Sequence, residues 1–484
     1  MTNLVKEQLE STKEIFTVIS IATLANFLTG FNARLAIVGL PTIMYELSAD
    51  VFQLIWVIQG FMLGSTAIQL IVGKLADQFG RVKLFNFGIL VFSLGTLAAG
   101  LSTNPLSLII SRIIQGIGGA FLISLTVTIL ADSVSPSRLA TWLGLSQVAW
   151  RAGALMGLTI SGFIIDYLGW RWIFLIQLPL GLFALTWSLL KLRERYKPSE
   201  KPFIDLIGFI SFTVAIVSIL LGLTFHGYGL LEESLYILLL GLAVMAFFII
   251  WELKSKHPAL DLRVFKIWQF SGGIVSQLLY SIGFGASLTL LAIYLQSVDG
   301  FTPSQTGLLL IPFELTFLVF GLIGGRLADA IGFAPVAATG LAIGSIALYK
   351  LSTMNTLTEI LLGEFLLGAG TGLFVSPNTG SIMNSVPPHR RGVASSLRTV
   401  SFQIGFIASL NIAILSMTQI LPYEVVSALI THRHTTGLNN NLGVEICKLS
   451  GAIKHSLGIQ AFIMALGIPF TISRLTLKRK NVGK

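Results

Sequence analysis

Charged residues divide this chain into fourteen apolar stretches, each long enough to cross a bilayer. A membrane helix needs about 20 predominantly apolar residues to span a hydrocarbon core of ~30 Å. Windows free or nearly free of charge run from Glu14 to Arg34, Asp50 to Lys74, Lys83 to Arg112, Arg112 to Asp132, Arg138 to Asp166, Arg171 to Lys191, Asp205 to Glu232 and Glu233 to Glu252. Six more run from Lys266 to Asp299, Phe301 to Arg326, Asp329 to Lys350, Leu357 to Arg390, Arg391 to Glu424 and Lys454 to Arg474, the last being the shortest. The runs are continuous, whereas a barrel strand alternates over about 10 residues, so the expected fold is an all-α integral membrane protein of fourteen transmembrane helices. Only 11% of the 484 residues are charged. Soluble domains carry about 25%, which excludes a water-soluble globule. The 48 glycines then read as packing residues, because small side chains let helix backbones approach closely in lipid.

Orientation follows from Lys and Arg placement. With both termini cytoplasmic, 23 of the 32 basic residues fall on the cytoplasmic side, five on the opposite side, and four inside spans. The net charge of +10 is thereby a topology signal directed at anionic membrane lipids, and no nucleic-acid partner is implied. The N-terminus has neither a basic start nor a small-residue cleavage site and is expected to run straight into the first helix.

The segment GKLADQFGR, Gly73 to Arg81, recurs as GRLADAIGF, Gly325 to Phe333, 252 residues later. Both copies lie in a turn after a span, the second and the tenth. A plain six-helix repeat would place the copy after the eighth span, so a two-helix hairpin is inserted between two six-helix bundles. The expected division is an N-terminal bundle over 1–195, a hairpin and linker over 196–256, and a C-terminal bundle over 257–484. Parallel repeats that enclose a path near the midplane are a transporter architecture.

The GKLADQFGR turn resembles the loop between helices 2 and 3 of the major facilitator superfamily, and RIIQGIGGA, Arg112 to Ala120, resembles its helix-4 signature. GWRWIFLIQLPLG, Gly169 to Gly181, with HPALDLRVF, His257 to Phe265, and PPHRRGVASSL, Pro387 to Leu397, is similar to the fourteen-helix drug/proton antiporter-type branch. The resemblance implies alternating access and, for Arg112, a cavity-lining role in coupling. The chain departs from that branch in two places. FNARLAIVGLP, Phe31 to Pro41, has Asn32 where many branch members carry Asp, and WRAGALMGLTISG, Trp150 to Gly162, has Ala154 and Leu158 where Gly-Pro pairs are usual.

In the repeated turn, Gly73 and Gly80 permit a tight crossing, Asp77 caps or pairs, and Arg81 supplies its partner charge. Such a latch is expected to hold the cytoplasmic ends of the two bundles together in one state and release them in another. The second copy keeps Gly325 and Asp329 but has Phe333 in place of Arg81, and is expected to be weaker.

Six charges lie inside spans: Arg34, Arg112, Arg151, Arg398, Glu314 and Glu364. Each costs about 2.5–3.5 kcal/mol at a helix centre unless it meets a partner or water. Arg151 is closest to a span centre, whereas Arg34 and Arg398, about seven residues from a span end at 1.5 Å per residue, are placed to snorkel. Gln115 shares a helix face with Arg112. Glu314 and Glu364 are the deep carboxylates and hence the candidate proton carriers, since a carboxyl that alternates between apolar burial and an arginine partner couples proton binding to helix movement. For Glu364 the structural alternative is a counter-ion to Arg34 or Arg112. Four positive against two negative charges favours anionic, zwitterionic or amphipathic substrates.

No cofactor or metal is expected. His432 and His434 lack a neighbouring Cys or acidic cluster, the single cysteine is Cys447, and no phosphate-binding GxxxxGK[ST] loop occurs. The sequence thus reads as a secondary transporter of the cell membrane, active as a monomer, that couples a small or amphipathic solute to protons. The alternatives are a polar-lipid or metabolite transporter without proton antiport, and a membrane receptor or scaffold on the same fold. An enzyme ranks last, because none of the six histidines falls mid-span.

Overall fold

The computed structural model describes the chain apart from residues 1, 70, 135, 195–204, 256–257, 259, 261, 388–389, 432–441 and 482–484. Among the described residues there are helices and no strands. The helices are α1 (Thr2–Leu47), α2 (Val51–Gln69), α3 (Val72–Phe79), α4 (Arg81–Gly100), α5 (Pro105–Ser133), α6 (Pro136–Leu168), α7 (Arg171–Leu175), α8 (Gln177–Lys191), α9 (Leu206–Gly227) and α10 (Leu231–Lys254). They continue with α11 (Trp268–Phe284), α12 (Ser287–Ile293), α13 (Pro303–Leu309), α14 (Ile311–Ile331), α15 (Phe333–Ser352), α16 (Leu357–Asn384), α17 (Arg391–Thr418), α18 (Tyr423–Thr431), α19 (Leu442–Ala465) and α20 (Gly467–Asn481). Among the described residues, fourteen segments are long and apolar enough to cross a membrane. Four of these spans are built from more than one helix: α7–α8, α11–α12, α13–α14 and α19–α20.

Several span ends lie elsewhere than the charges mark them. The first span runs Ile15–Leu47, through Arg34 and through Pro41. Between the third and fourth spans the chain turns at Leu101–Asn104, where the Asn104 side chain accepts from the Ser107 amide at 2.8 Å and Pro105 opens α5. That N-cap and first-turn proline place Arg112 two turns inside α5, not at its end. The fourteenth span, Gly443–Leu475, has 33 residues and is among the longest rather than the shortest. The stretch from 419 to 455 accordingly holds α18 and the first turns of α19, while His432 and His434 lie outside the described residues.

The two halves repeat one packing scheme. In the first, α5 lies against both α2 and α4, and α1 against α6; in the second, α16 lies against α14 and α15, and α11 against α17. Glycines permit the closest of these approaches. A Cβ at Gly116 on α5 would stand 2.0 Å from the Phe61 carbonyl oxygen of α2, so RIIQGIGGA packs backbone on backbone. The repeated turn also has one backbone conformation: Gly80 has φ 104° and Gly332, 252 positions on, has φ 99°. Both values favour glycine, which explains the last glycine of each copy.

Helices α9 and α10 pack on each other, and α9 also touches α2 and α17. Between the halves, the end opposite the chain termini is closed. There Gln296 Nε2 donates to the Val38 carbonyl at 2.9 Å, and the Ser304 amide donates to Asp166 Oδ2 at 2.9 Å.

Candidate functional site

The buried charges are arranged around the seam between the halves. Arg112 is 2% exposed and belongs to the first half alone. Its Nε donates to the Val57 carbonyl at 2.9 Å, and its Nη1 donates to Asn32 Oδ1 at 2.8 Å and to Gln115 Oε1. Gln115 Nε2 in turn donates to Thr96 Oγ1 at 2.7 Å. This network joins α1, α2, α4 and α5, and Phe61 and Phe174 flank the guanidinium with ring centroids at 4.9 and 5.6 Å. Asn32, at the position where the resembled branch has Asp, is therefore a neutral acceptor for Arg112. Gln115 and Arg112 meet as their three-residue spacing on a helix requires.

Arg34 and Glu314 connect the halves. Arg34 Nε on α1 stands 3.0 Å from Glu314 Oε1 on α14, and the residues are 6% and 3% exposed. Arg34 does not reach a membrane interface, because a counter-ion waits at its own depth. Glu314 occupies the first turn of α14, just after the break at Leu310 and beside Pro312. A helix N-terminus favours a carboxylate there, so the interrupted span contributes to the site's electrostatics. Glu314 Oε2 has no hydrogen-bond partner among the described residues.

Arg151 on α6 extends over α14, its Cζ 3.5 Å from the Phe317 ring centroid and 4.9 Å from that of Trp150. It is half-buried, and no hydrogen bond or ion pair engages its guanidinium among the described residues. Cation–π contact holds such a group in place while leaving its N–H donors free. Arg151 shares its field with Arg34, Arg398 and Glu314. The second half faces these arginines with an aromatic wall, in which Tyr280 and Phe284 lie at 5.5 Å, Phe284 and Phe313 at 5.4 Å, and Phe313 and Phe317 at 5.8 Å. Sequence reasoning missed this wall, although the recurrence of Phe313 and Phe317 at i, i+4 was available as a signal.

Glu364 on α16 is fully buried, and neither carboxylate oxygen has a hydrogen-bond partner among the described residues. It is not the counter-ion of Arg34, which pairs with Glu314, nor of Arg112, which is held by neutral acceptors. Arg398 on α17 is half-buried with its Nε unpartnered among the described residues. Three further buried charges escaped sequence reasoning because each closes an apolar window: Asp205, Glu252 and, at 4% exposure, Arg474. Asp205 caps α9 by accepting from the Gly208 amide at 2.8 Å, and Glu252 accepts from the Leu260 amide at 3.1 Å.

Two ionic contacts of the repeated turn lie within the first half. Arg81 bridges Asp77, at 2.8 Å, and Asp132 on α5, at 2.6 Å, so this bridge fastens α3 to α5 rather than one half to the other. No side chain lies within contact distance of a Cβ at Gly73. The residue that leaves the turn is Lys74, whose Nζ donates to the Pro258 carbonyl at 2.8 Å. Burial pushes the Lys74 amine down, while Glu252 and Asp205 act to hold its charge. In the second copy Asp329 is exposed without an ion-pair partner among the described residues, and Gly325 lies near Ser376. Phe333 packs over Gly380 of α16 where Arg81 reaches α5.

The sequence profile of the Major Facilitator Superfamily matches residues 22–410. The chain belongs to that superfamily, and is a multi-pass transporter of the cell membrane. It is 29% identical over 379 residues to the multidrug transporter protein MdtP of Bacillus subtilis, covering 77% of this chain and 70% of that protein. It is 28% identical over 413 residues to the multidrug export protein EmrB of Escherichia coli, covering 83% and 80%. An inward-facing, unoccupied structure of a bacterial homologue of the human lysosomal transporter Spinster shares the fold, with a TM-score of 0.67, 16% identity, and 97% and 98% of the two chains covered.

Proposed function

We propose that this chain is a proton-coupled efflux transporter for anionic, zwitterionic or amphipathic solutes, and that Glu314 is its proton carrier. The observation that carries this reading is the Arg34–Glu314 pair, which joins the two halves beside an unengaged Arg151. A proton on Glu314 removes the attraction that holds Arg34, so protonation and the separation of the halves become one event. Glu364 has no such lever, because among the described residues it has no charged partner to release. Arg112 modulates the site by fixing Asn32 on α1, two residues from Arg34.

The substrate preference rests on charge. Arg34, Arg151 and Arg398 against Glu314 leave the shared field positive, and the aromatic wall supplies apolar surface for an amphipathic body. Arg151 is the group that contacts the solute's anionic end. In this reading the chain divides into 1–195, the hairpin and linker over 196–256, and 257–484. Both termini are cytoplasmic by the positive-inside bias. One chain contains the entire path, so the monomer suffices. Gly73, Asp77, Gly80 and Arg81, with Gly325 and Asp329, form the turns on which the halves rock; the Arg81 bridge keeps the first turn rigid.

Transport of anionic and cationic amphipaths in proteoliposomes tests the preference. The unmodified chain is expected to favour the anion, and Arg151→Ala to lower that transport tenfold or more, the order of a lost charge-assisted hydrogen bond. Preference for lipophilic cations with Arg151 dispensable would refute it.

A further inference from the structure

The hairpin is attached to the first half at several points along α2. Just past α2, Lys74 on α3 donates to Pro258, where the hairpin meets the second half. Thr213 Oγ1 donates to the Ala67 carbonyl at 3.5 Å, and Trp56 Nε1 donates to Thr224 Oγ1 at 3.2 Å. Beyond α9, Tyr228 Oη donates to both carboxylate oxygens of Asp50, at 2.9 and 3.1 Å. Asp50 is already fixed, since its Oδ1 accepts from the Gln53 amide at 2.9 Å and caps α2.

This corner also holds the second half. Tyr423, the first residue of α18, has its Oη accept from the Phe52 amide at 3.4 Å, two residues beyond Asp50. The rings of Phe52, Tyr228 and Tyr423 form a closed triangle with centroid separations of 4.5, 5.1 and 5.4 Å. Lower down, Thr224 lies 3.5 Å from Asn411 Oδ1 on α17. The start of α2 thus receives a phenol from the hairpin at Asp50 and one from the second half at Phe52, at the end of the molecule that is shut. Burial and the Asp50 charge push both phenols up, so both remain donors.

We propose that the hairpin is a gate element: Tyr228, with Asp50 and Tyr423, staples the end opposite the termini closed, and the staple parts when the halves rock open there. This rests on the alternating-access reading. It assigns the hairpin a role in setting the balance between the two open states, beyond that of a spacer between repeats.

The test measures access rather than transport. Ile55 lies one turn along α2 from Phe52 and is buried at the closed end. In a Cys447→Ser background, an Ile55→Cys chain in proteoliposomes is treated with a membrane-impermeant maleimide from the side opposite the termini. Tyr228→Phe keeps the ring triangle and loses one hydroxyl, and its melting curve reports that the chain is folded. It is expected to speed labelling about tenfold, the fold-change matching one hydrogen bond to a charged acceptor. Tyr423→Phe, which removes the hydroxyl that accepts from the Phe52 amide, is expected to speed labelling as well, by less. If Tyr423→Phe speeds labelling and Tyr228→Phe leaves it unchanged, the staple joins the two halves alone and the hairpin has no part in it. If Ile55→Cys is never labelled in any variant, the alternating-access reading itself fails.

Discussion

Arg34→Ala is expected to destabilise the folded chain by about 3–5 kcal/mol, because it strands the Glu314 carboxylate in a site 3% exposed. Glu314→Gln, which strands Arg34, is expected to have a similar effect. The double variant Arg34→Ala with Glu314→Gln removes both charges, and is expected to melt closer to the unmodified chain than either single variant. Thermal melting in detergent over this double-mutant cycle gives the coupling energy directly. A cycle with no coupling would mean that the two side chains ionise without reference to each other, and the inter-half link would be lost from the account.

Arg112→Lys is the second large expectation. The guanidinium supplies donors to three acceptors at once, from α2, α1 and its own helix. An ammonium cannot span that fork, and each buried acceptor left unpaired costs about 1–3 kcal/mol. About 2–6 kcal/mol of stability is expected to disappear if two acceptors are left, with transport falling accordingly. Gln115→Glu offers the converse test: a second charge beside Arg112 is expected to tighten that pair without restoring the Lys variant. Retention of full stability by Arg112→Lys would reduce the network to a loose polar pocket.

The spans were legible because an apolar run of this length has no other stable destination, and the duplicated turn was legible because only glycine accepts φ near 100° at Gly80 and Gly332. Arg112 and Gln115 were also legible, since three residues along a helix fixes their meeting. The partner of Arg34 was not, because Glu314 lies in the other half of the chain, and no periodicity connects residues on different helices. The misplacement of the first and fourth spans has one cause. A charge ends an apolar window in the sequence, but it need not end a helix. Arg34 has a counter-ion and Arg112 has acceptors, so their helices pass through them. Tyr228 and Tyr423 were invisible for another reason: they lie at helix ends far apart in sequence, and the chain alone does not reveal that both meet at the start of α2.

The central claim is that proton binding at Glu314 is what moves the halves. Transport driven by an imposed pH gradient, compared with solute exchange at equal pH on the two sides, tests it most directly in proteoliposomes carrying the unmodified chain, Glu314→Gln or Glu364→Gln. The account predicts that Glu314→Gln keeps exchange but loses gradient-driven accumulation, while Glu364→Gln keeps both. Gradient-driven transport that survives in Glu314→Gln would contradict it, and its loss in Glu364→Gln alone would transfer the proton to the buried carboxyl of α16.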